Sequence, residues 1–418
     1  MKNQINFLPE KFIPKIIIVF LLILSLHFWN LRGIPQKITF ENIFVWLFCG
    51  FCFIMVIHRD NLRFRKPILL FLLGLVLNSL AAYFNLEQSL RLTLLAFSFY
   101  YFIFLYFALH YFKFNRKFLE NVIIAFAIIY SIIFTVQYKV YPFVIFNYDA
   151  RTAQDSRQFE IIGHGFLMLA YFLVLNRYLL NRRLINILMA IVFFIILMKS
   201  DFRTLIAGAL LITVIMIIKL VKLSIRDFSI LAFIVIIFLG VSQYHGVSYI
   251  INKMTSQTED NLKEGRKYVR LIQLEYFFKR YPRNLSYFVI GGGKPAGVKN
   301  LYTFNPYAMG QDYSGNYNIV WVDIGLLGFY VVVGGIALLG LLWYVIKSIF
   351  IKLPRDSAYL NFYFLYLLIV SFTNEEIYRE GIFTVQAIAL YLIDISSNEK
   401  SNKEGQIAVT ESAAIQDS

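Results

Sequence analysis

Apolar runs separated by short polar breaks fill most of the chain, and one long polar segment, Gly246 to Asn316, interrupts them. A helix that crosses a bilayer needs about 20 mainly apolar residues. On that measure the runs predict twelve spans. Nine lie before the polar segment, near residues 12–30, 40–57, 67–84, 92–112, 118–137, 161–175, 184–198, 204–218 and 229–245, and three after it, near 317–346, 357–373 and 381–395. The expected fold is an all-α polytopic membrane protein, residues 1–395 forming one transmembrane domain and 396–418 a disordered cytoplasmic tail of Ser, Asn, Lys, Glu and Gln.

Charge in the breaks orients the spans independently of hydropathy, because cytoplasmic loops collect Lys and Arg. His58 to Lys66, Lys113 to Lys117, Asn176 to Arg183, Lys219 to Asp227 and Lys347 to Asp356 hold three or four basic residues each. The alternate loops 31–39, 85–91, 199–203 and 374–380 hold one or two. Both termini are therefore expected in the cytoplasm, with the longer loops 138–160 and 246–316 outside.

Composition agrees with the pattern: 59% of residues are hydrophobic, 18% are aromatic, and mean hydropathy is +0.64. An ordinary soluble chain is about half apolar and a quarter charged. The net charge of +15 would suit nucleic acid in a soluble protein, but here it follows from the basic loops, so nucleic acid is not an expected partner. Lys2, Lys11 and Lys15 precede an apolar run ending at Trp29 without a small-x-small cleavage pattern, which reads as a first span. Cys49 and Cys52 lie inside the apolar run Ile43 to Ile57, where packing is the expected role.

The polar segment carries ten Lys/Arg against five Asp/Glu, the reverse of what topology asks of an external loop. Solvated loop charge would account for the excess, and so would recognition of phosphate, for which Arg offers a permanently charged, bidentate fork. An amphipathic helix is expected from about Arg266 to Tyr281, stopped by Pro282. It would set Arg266, Arg270 and Gln273 on one face, toward lipid headgroups, and Val269, Ile272 and Tyr276 on the other. Gly291-Gly292-Gly293-Lys294-Pro295 then reads as a flexible turn whose backbone N–H groups can approach an anion.

Three successions over roughly residues 199–330 resemble the O-antigen ligase and polymerase superfamily, integral membrane enzymes that transfer glycans from a polyprenyl pyrophosphate carrier. Lys199-Ser200-Asp201-Phe202-Arg203-Thr204, opening a small and apolar helix, is similar to the family's Ser-Arg-Gly element. Gly265-Arg266, Tyr281-Pro282 and Gly291 to Gly293 follow its Gly-Arg, proline and Gly-x-Gly order. Ser314-Gly315-Asn316-Tyr317 through Asp323-Ile324-Gly325-Leu326-Leu327-Gly328 resembles its His-Asn-x-Tyr element and the Gly-Leu-x-Gly beyond. Ser314 stands where ligases carry a functional histidine, which favours the polymerase branch. Arg280 to Gly291 also has the Arg-x10-Gly spacing described for polymerases.

The resemblance implies a GT-C-like fold in the bacterial inner membrane and an active site on its external face. Undecaprenyl-pyrophosphate-linked glycan would be the substrate; membrane lipids, a flippase and a chain-length regulator would be the partners. That donor is already activated. The chain has no GxxxxGK[ST] loop and no Asp-x-Asp pair, so no cofactor and no metal are expected. Charge on the departing diphosphate would be met by fixed cations. Arg203, Arg266, Arg270 and Arg280 are the candidates, with Arg151 and Arg157 of the smaller external loop as further sugar or phosphate contacts. A base for the acceptor hydroxyl would be a carboxylate or His. His164, Asp312 and Glu376 are the candidates, His164 in Ile162-Gly163-His164-Gly165 and Glu376 in the short acidic loop Asn374 to Glu380. The expected function is polymerisation of lipid-linked repeat units into O-antigen or a related surface polysaccharide. A ligase using the same carrier is the near alternative, and a lipid-linked sugar flippase the alternative of another class.

Overall fold

The computed structural model of the chain describes residues 12–26, 38–59, 62–140, 161–200, 202–220, 269–282, 284–294, 321–379 and 381–398, with short stretches at 143, 145, 149–150, 159–160, 310–311 and 318–319. Apart from two two-residue antiparallel ladders, Asp149–Ala150 with Phe159–Glu160 and Gly310–Gln311 with Asn318–Ile319, its regular structure is helical. Among the described residues nine α-helices precede the polar loop: α1 (Phe12–Leu26), α2 (Ile38–Val56), α3 (Arg65–Leu86), α4 (Leu90–Ala96), α5 (Leu105–Phe112), α6 (Arg116–Val140), α7 (His164–Asn181), α8 (Leu184–Lys199) and α9 (Arg203–Leu220). Within and after the loop come α10 (Val269–Glu275), α11 (Ser286–Ile290), α12 (Gly325–Val333), α13 (Gly335–Phe350), α14 (Tyr359–Val370) and α15 (Ile382–Asn398).

Among the described residues, α3, α6 and α9 are long and apolar enough to cross a membrane, and seven shorter apolar segments accompany them. Large apolar side chains such as Leu47, Phe84, Leu184, Leu339 and Phe350 are exposed on the outside of the bundle. A water-soluble helix would hide such a stripe; helices in lipid turn it outward. The two helices buried most completely are α7 and α15, which form the centre. The span expected at 229–245 and the tail beyond Asn398 lie outside the described residues.

Four of the five basic loops meet at one pole. Lys347 donates to the Arg63 carbonyl at 2.6 Å, and Arg63 reaches Asn398 Oδ1 at 3.1 Å. Arg116 pairs with Asp356 at 2.9 Å, and Asn176 Nδ2 donates to the carbonyls of Arg355 and Asp356. The chain's last described residue, Asn398, lies at this basic pole too.

Two expected spans are interrupted. Residues 92–112 fold as α4 and α5 joined by a 3-10 turn at Tyr100–Phe104. The expected span 317–346 is not one helix: a 3-10 turn at Trp321–Ile324 leads into α12, which stops at Gly334 (φ 106) before α13 begins. Backbone groups freed inside an apolar bundle must find partners within the protein. The polar loop supplies them. Gly292 and Gly293 donate their N–H groups to the carbonyls of Val331 and Val332 at 3.1 and 3.2 Å. Asn78 Nδ2, on α3, donates to the carbonyls of Ile290 and Val332, both at 2.8 Å, while its Oδ1 accepts the Lys294 N–H at 3.0 Å.

The glycine run is therefore an inserted segment, not a flexible turn, and the N–H groups of Gly292, Gly293 and Lys294 are spent on protein acceptors. A Cβ at Gly291 would overlap the Asn78 amide and the Val332 carbonyl, and its φ of 83° already disfavours a side chain. Gly291→Ala is expected to lower stability by roughly 1–3 kcal/mol; thermal unfolding of the purified protein in detergent would measure it.

The amphipathic helix also differs from expectation. It runs through Val269–Glu275 and a π-turn at Tyr276–Arg280 and ends ahead of Pro282, but Gln273 does not share an outer face with the cations. Gln273 is buried, its Nε2 3.3 Å from Asp323 Oδ2, because the helix packs Gln273 and Phe277 onto residues 321–333. Leu271 and Phe278 face outward instead.

Candidate functional site

At the pole opposite the basic loops, α7 opens directly on His164, preceded by Gly163 in a left-handed conformation (φ 107). Gly381, also left-handed (φ 79), starts the neighbouring central helix α15 and packs against Ile162. These two glycines turn the chain at the bundle's centre and bring loop 371–379 over the start of α7. The loop is tied down by its own side chains and neighbours. Ser371 Oγ accepts the Ile377 N–H at 2.8 Å, Asn374 Oδ1 accepts the Glu376 N–H at 2.9 Å, and Gln386 Nε2 donates to the Ile377 carbonyl at 2.7 Å.

Glu376, 1% exposed, is thereby held between an imidazole and a guanidinium. His164 Nδ1 lies 3.0 Å from its Oε1, and Arg379 Nη1 lies 3.3 Å from its Oε2. Burial raises a carboxyl's pKa, but the charges and hydrogen bonds of His164 and Arg379 outweigh it, so Glu376 titrates below its ordinary value. An ionised carboxylate can only accept. In the neutral tautomer that donates Nδ1–H to this carboxylate, Nε2 carries the lone pair. That Nε2 is buried and, among the described residues, has no hydrogen-bond partner. The edge-on ring of Tyr130, 6.1 Å between centroids, helps to set the plane of the imidazole.

The element around Arg203 closes the site. Asn374 Nδ2 donates to Thr204 Oγ1 at 2.9 Å, and the Arg379 guanidinium lies 5.2 Å over the Phe202 ring. Arg203, between them, is half-buried at the first position of α9. Gly325 and Gly328 serve the same pole: a Cβ at either would overlap backbone, that of Ser371 for Gly325 and of Trp321 for Gly328. Tyr378 donates to the Gly325 carbonyl at 2.9 Å and stacks on Trp321 at 5.5 Å.

His164 and Glu376, 212 positions apart in sequence, meet here, and the two neighbours of Arg203, Phe202 and Thr204, touch the same loop. Arg270 and Arg280 do not join them. They stand on the helix packed against residues 321–333, Arg270 half-buried and Arg280 exposed. Arg151, Arg157, Arg266 and Asp312 lie outside the described residues. Arg379, Asn374 and Thr204 were not sequence candidates. The available signal for Arg379 was its position three residues after Glu376, the spacing of neighbours on one helical turn. Among the described residues, no three His, Cys, Asp or Glu side chains group as a metal site. Compared with known proteins, the chain matches no family model, and no curated protein is significantly similar to it.

Proposed function

We propose that the chain is a glycosyltransferase that polymerises polyprenyl-pyrophosphate-linked repeat units at the external face of a cytoplasmic membrane. The observation that carries this reading is the buried His164–Glu376 pair, with His164 Nε2 unpartnered among the described residues and Arg379 beside it, at the pole away from the basic loops. The positive-inside rule makes the basic pole cytoplasmic and this pole external.

In the proposed reaction His164 Nε2 takes the proton of an acceptor sugar hydroxyl while that oxygen attacks the anomeric carbon of the donor glycan. The bond from that carbon to the diphosphate oxygen breaks, and its electron pair leaves with the polyprenyl diphosphate. Glu376 stabilises the imidazolium that forms. Arg379 and Arg203 stabilise charge on the departing diphosphate, a role for cations already in place before the bond breaks. The growing chain is transferred to a new unit, which keeps its own carrier.

A deletion strain separates the readings. Single repeat units accumulating on the carrier at the external face support a polymerase; finished polymer still on its carrier indicates a ligase. Single units held at the cytoplasmic face would indicate a flippase, the second reading, favoured by the helix broken at Gly334, since interrupted helices are common in transporters. Arg203→Ala, expressed at the wild-type level, is expected to shorten the polysaccharide to few units on a sizing gel; unchanged long chains would remove Arg203 from the site.

A further inference from the structure

Among the described residues three carboxylates are buried, Glu120, Glu376 and Asp394. Two of them are met by arginine: Glu120 by Arg116 and Arg177, Glu376 by Arg379. Asp394 is not. It is 0% exposed, near the end of α15, the helix whose last residue, Asn398, lies at the basic pole. Its Oδ2 accepts from the Tyr106 hydroxyl and lies 3.1 Å from His110 Nε2. Its Oδ1 is buried and, among the described residues, has no hydrogen-bond partner.

The groups around this pair leave its charge to be balanced by a proton. On α5 and α15 the rings of Tyr106 and Tyr391 pack edge-on against the imidazole, with centroids 4.6 and 4.8 Å away, and fix its plane. The Tyr391 hydroxyl is committed to the Phe114 carbonyl at 2.7 Å. Lys347, on α13, feels the Asp394 charge, but its Nζ donates to the Arg63 carbonyl at 2.6 Å, and Arg63 reaches Asn398. Arg59 donates to the His110 carbonyl at 3.0 Å. With a neutral imidazole, the pair therefore carries a net negative charge in an apolar core and no guanidinium or ammonium is bonded to it, a costly arrangement. One proton makes it neutral. Glu376 and His164 reach neutrality without one, because Arg379 supplies the positive charge.

The geometry can take that proton without losing a contact. Either the ring accepts it at Nδ1 and keeps Nε2–H toward Oδ2, or Asp394 accepts it at Oδ1 and keeps Oδ2 for Tyr106 and His110. The two places form one coupled unit, so the proton belongs to the pair. Glu376 has no such spare oxygen, since His164 and Arg379 occupy one each. The His110 side chain, 8% exposed against 0% for Asp394, is the way in, three residues before the basic loop that opens at Lys113. Ionisable side chains inside membrane bundles are the groups from which proton relays are built.

We propose that the Asp394–His110 pair is a proton-binding site reached from the basic pole. It stands at the opposite pole from His164, and its test counts protons rather than product, so it and the glycosyl-transfer reading fail separately.

The full-length protein in neutral detergent, without buffer, is titrated with acid from about pH 8 to about pH 5, the range in which imidazole exchanges its proton. Wild type is expected to take up about one proton per chain more than Asp394→Asn. Infrared difference spectra over the same range should show an imidazolium or protonated-carboxyl signal that the variant lacks. Tyr106→Phe removes a hydrogen bond but neither member of the pair, so it should keep the extra proton. Its loss there too, with the fold intact, would assign the uptake to disturbed packing and count against the pair. Should Asp394→Asn fail to fold, His110→Gln carries the same comparison, because it removes the way in and leaves the carboxylate in place. Equal uptake by wild type and a folded Asp394→Asn or His110→Gln would overturn the proposal, since a permanent ion pair takes up nothing.

Discussion

His164→Ala is expected to slow chain extension by about a hundred- to ten-thousand-fold, the range for removing a positioned acid or base, with the protein still folded. Glu376→Gln should lose a comparable share. The amide keeps the shape but not the charge, so the imidazolium formed in the reaction loses its counter-ion and Arg379 is left facing a neutral group. Because the two residues act as one unit, the double variant should be little worse than the worse single one. Additive losses would mean that the 3.0 Å contact between them is not used in catalysis. The assay follows purified variants on a synthetic polyprenyl-diphosphate glycan, with product length read by mass spectrometry.

The same pair has a signature in stability that needs no substrate. Glu376 titrates below its ordinary value in the folded protein. Its contribution is therefore complete above the unfolded carboxyl value, about 4.3, and is lost as pH falls through the lower, folded value. Wild type should be more stable than Glu376→Gln at pH 7, and the difference should shrink as pH drops below about 4.

How far this site could be read from sequence depends on the distance over which each signal acts. The basic loops act locally, each fixing its own side of a bundle, and Lys347, Arg63, Arg116 and Arg355 do meet at one pole. The broken helix could not be read the same way, because Val331 through Ala337 is apolar throughout and hydropathy sees no interruption. What stabilises the break is Gly292 and Gly293, about forty positions earlier, whose N–H groups reach the freed carbonyls. The glycines were visible as a feature, but their partners were not, so a packed insertion looked like a free anion-binding turn. His164 and Glu376 were each visible as candidates among several. Only the fold selects the pair, by turning the chain at Gly163 and Gly381.

Glu120→Ala is expected to be among the most destabilising single substitutions, costing about 3–5 kcal/mol, the range for breaking a buried ion pair from one side. The Glu120 carboxylate, 6% exposed, accepts from Arg116 Nε at 2.7 Å, Arg177 Nη2 at 2.6 Å and the Tyr359 hydroxyl at 3.1 Å, joining α6, α7 and α14 at the basic pole. Alanine leaves two guanidinium groups facing each other across a vacated site. Arg177, 30% exposed, can turn toward solvent, but Arg116, 16% exposed and still bound to Asp356, cannot do so freely. Glu275→Ala removes an ion pair of similar sequence spacing, yet Lys279 and Glu275 are 73% and 56% exposed, and an exposed pair is worth about 0.3–0.5 kcal/mol at most. Thermal unfolding in detergent should therefore separate the two variants widely, although each deletes one carboxylate. Glu120 lies at the pole opposite His164, so its variant should retain near-wild-type activity per folded molecule in the cold and lose it on warming. Loss of activity in the cold with the fold intact would instead mean that the two poles are coupled through α7, which begins at His164 and carries Arg177 near its other end.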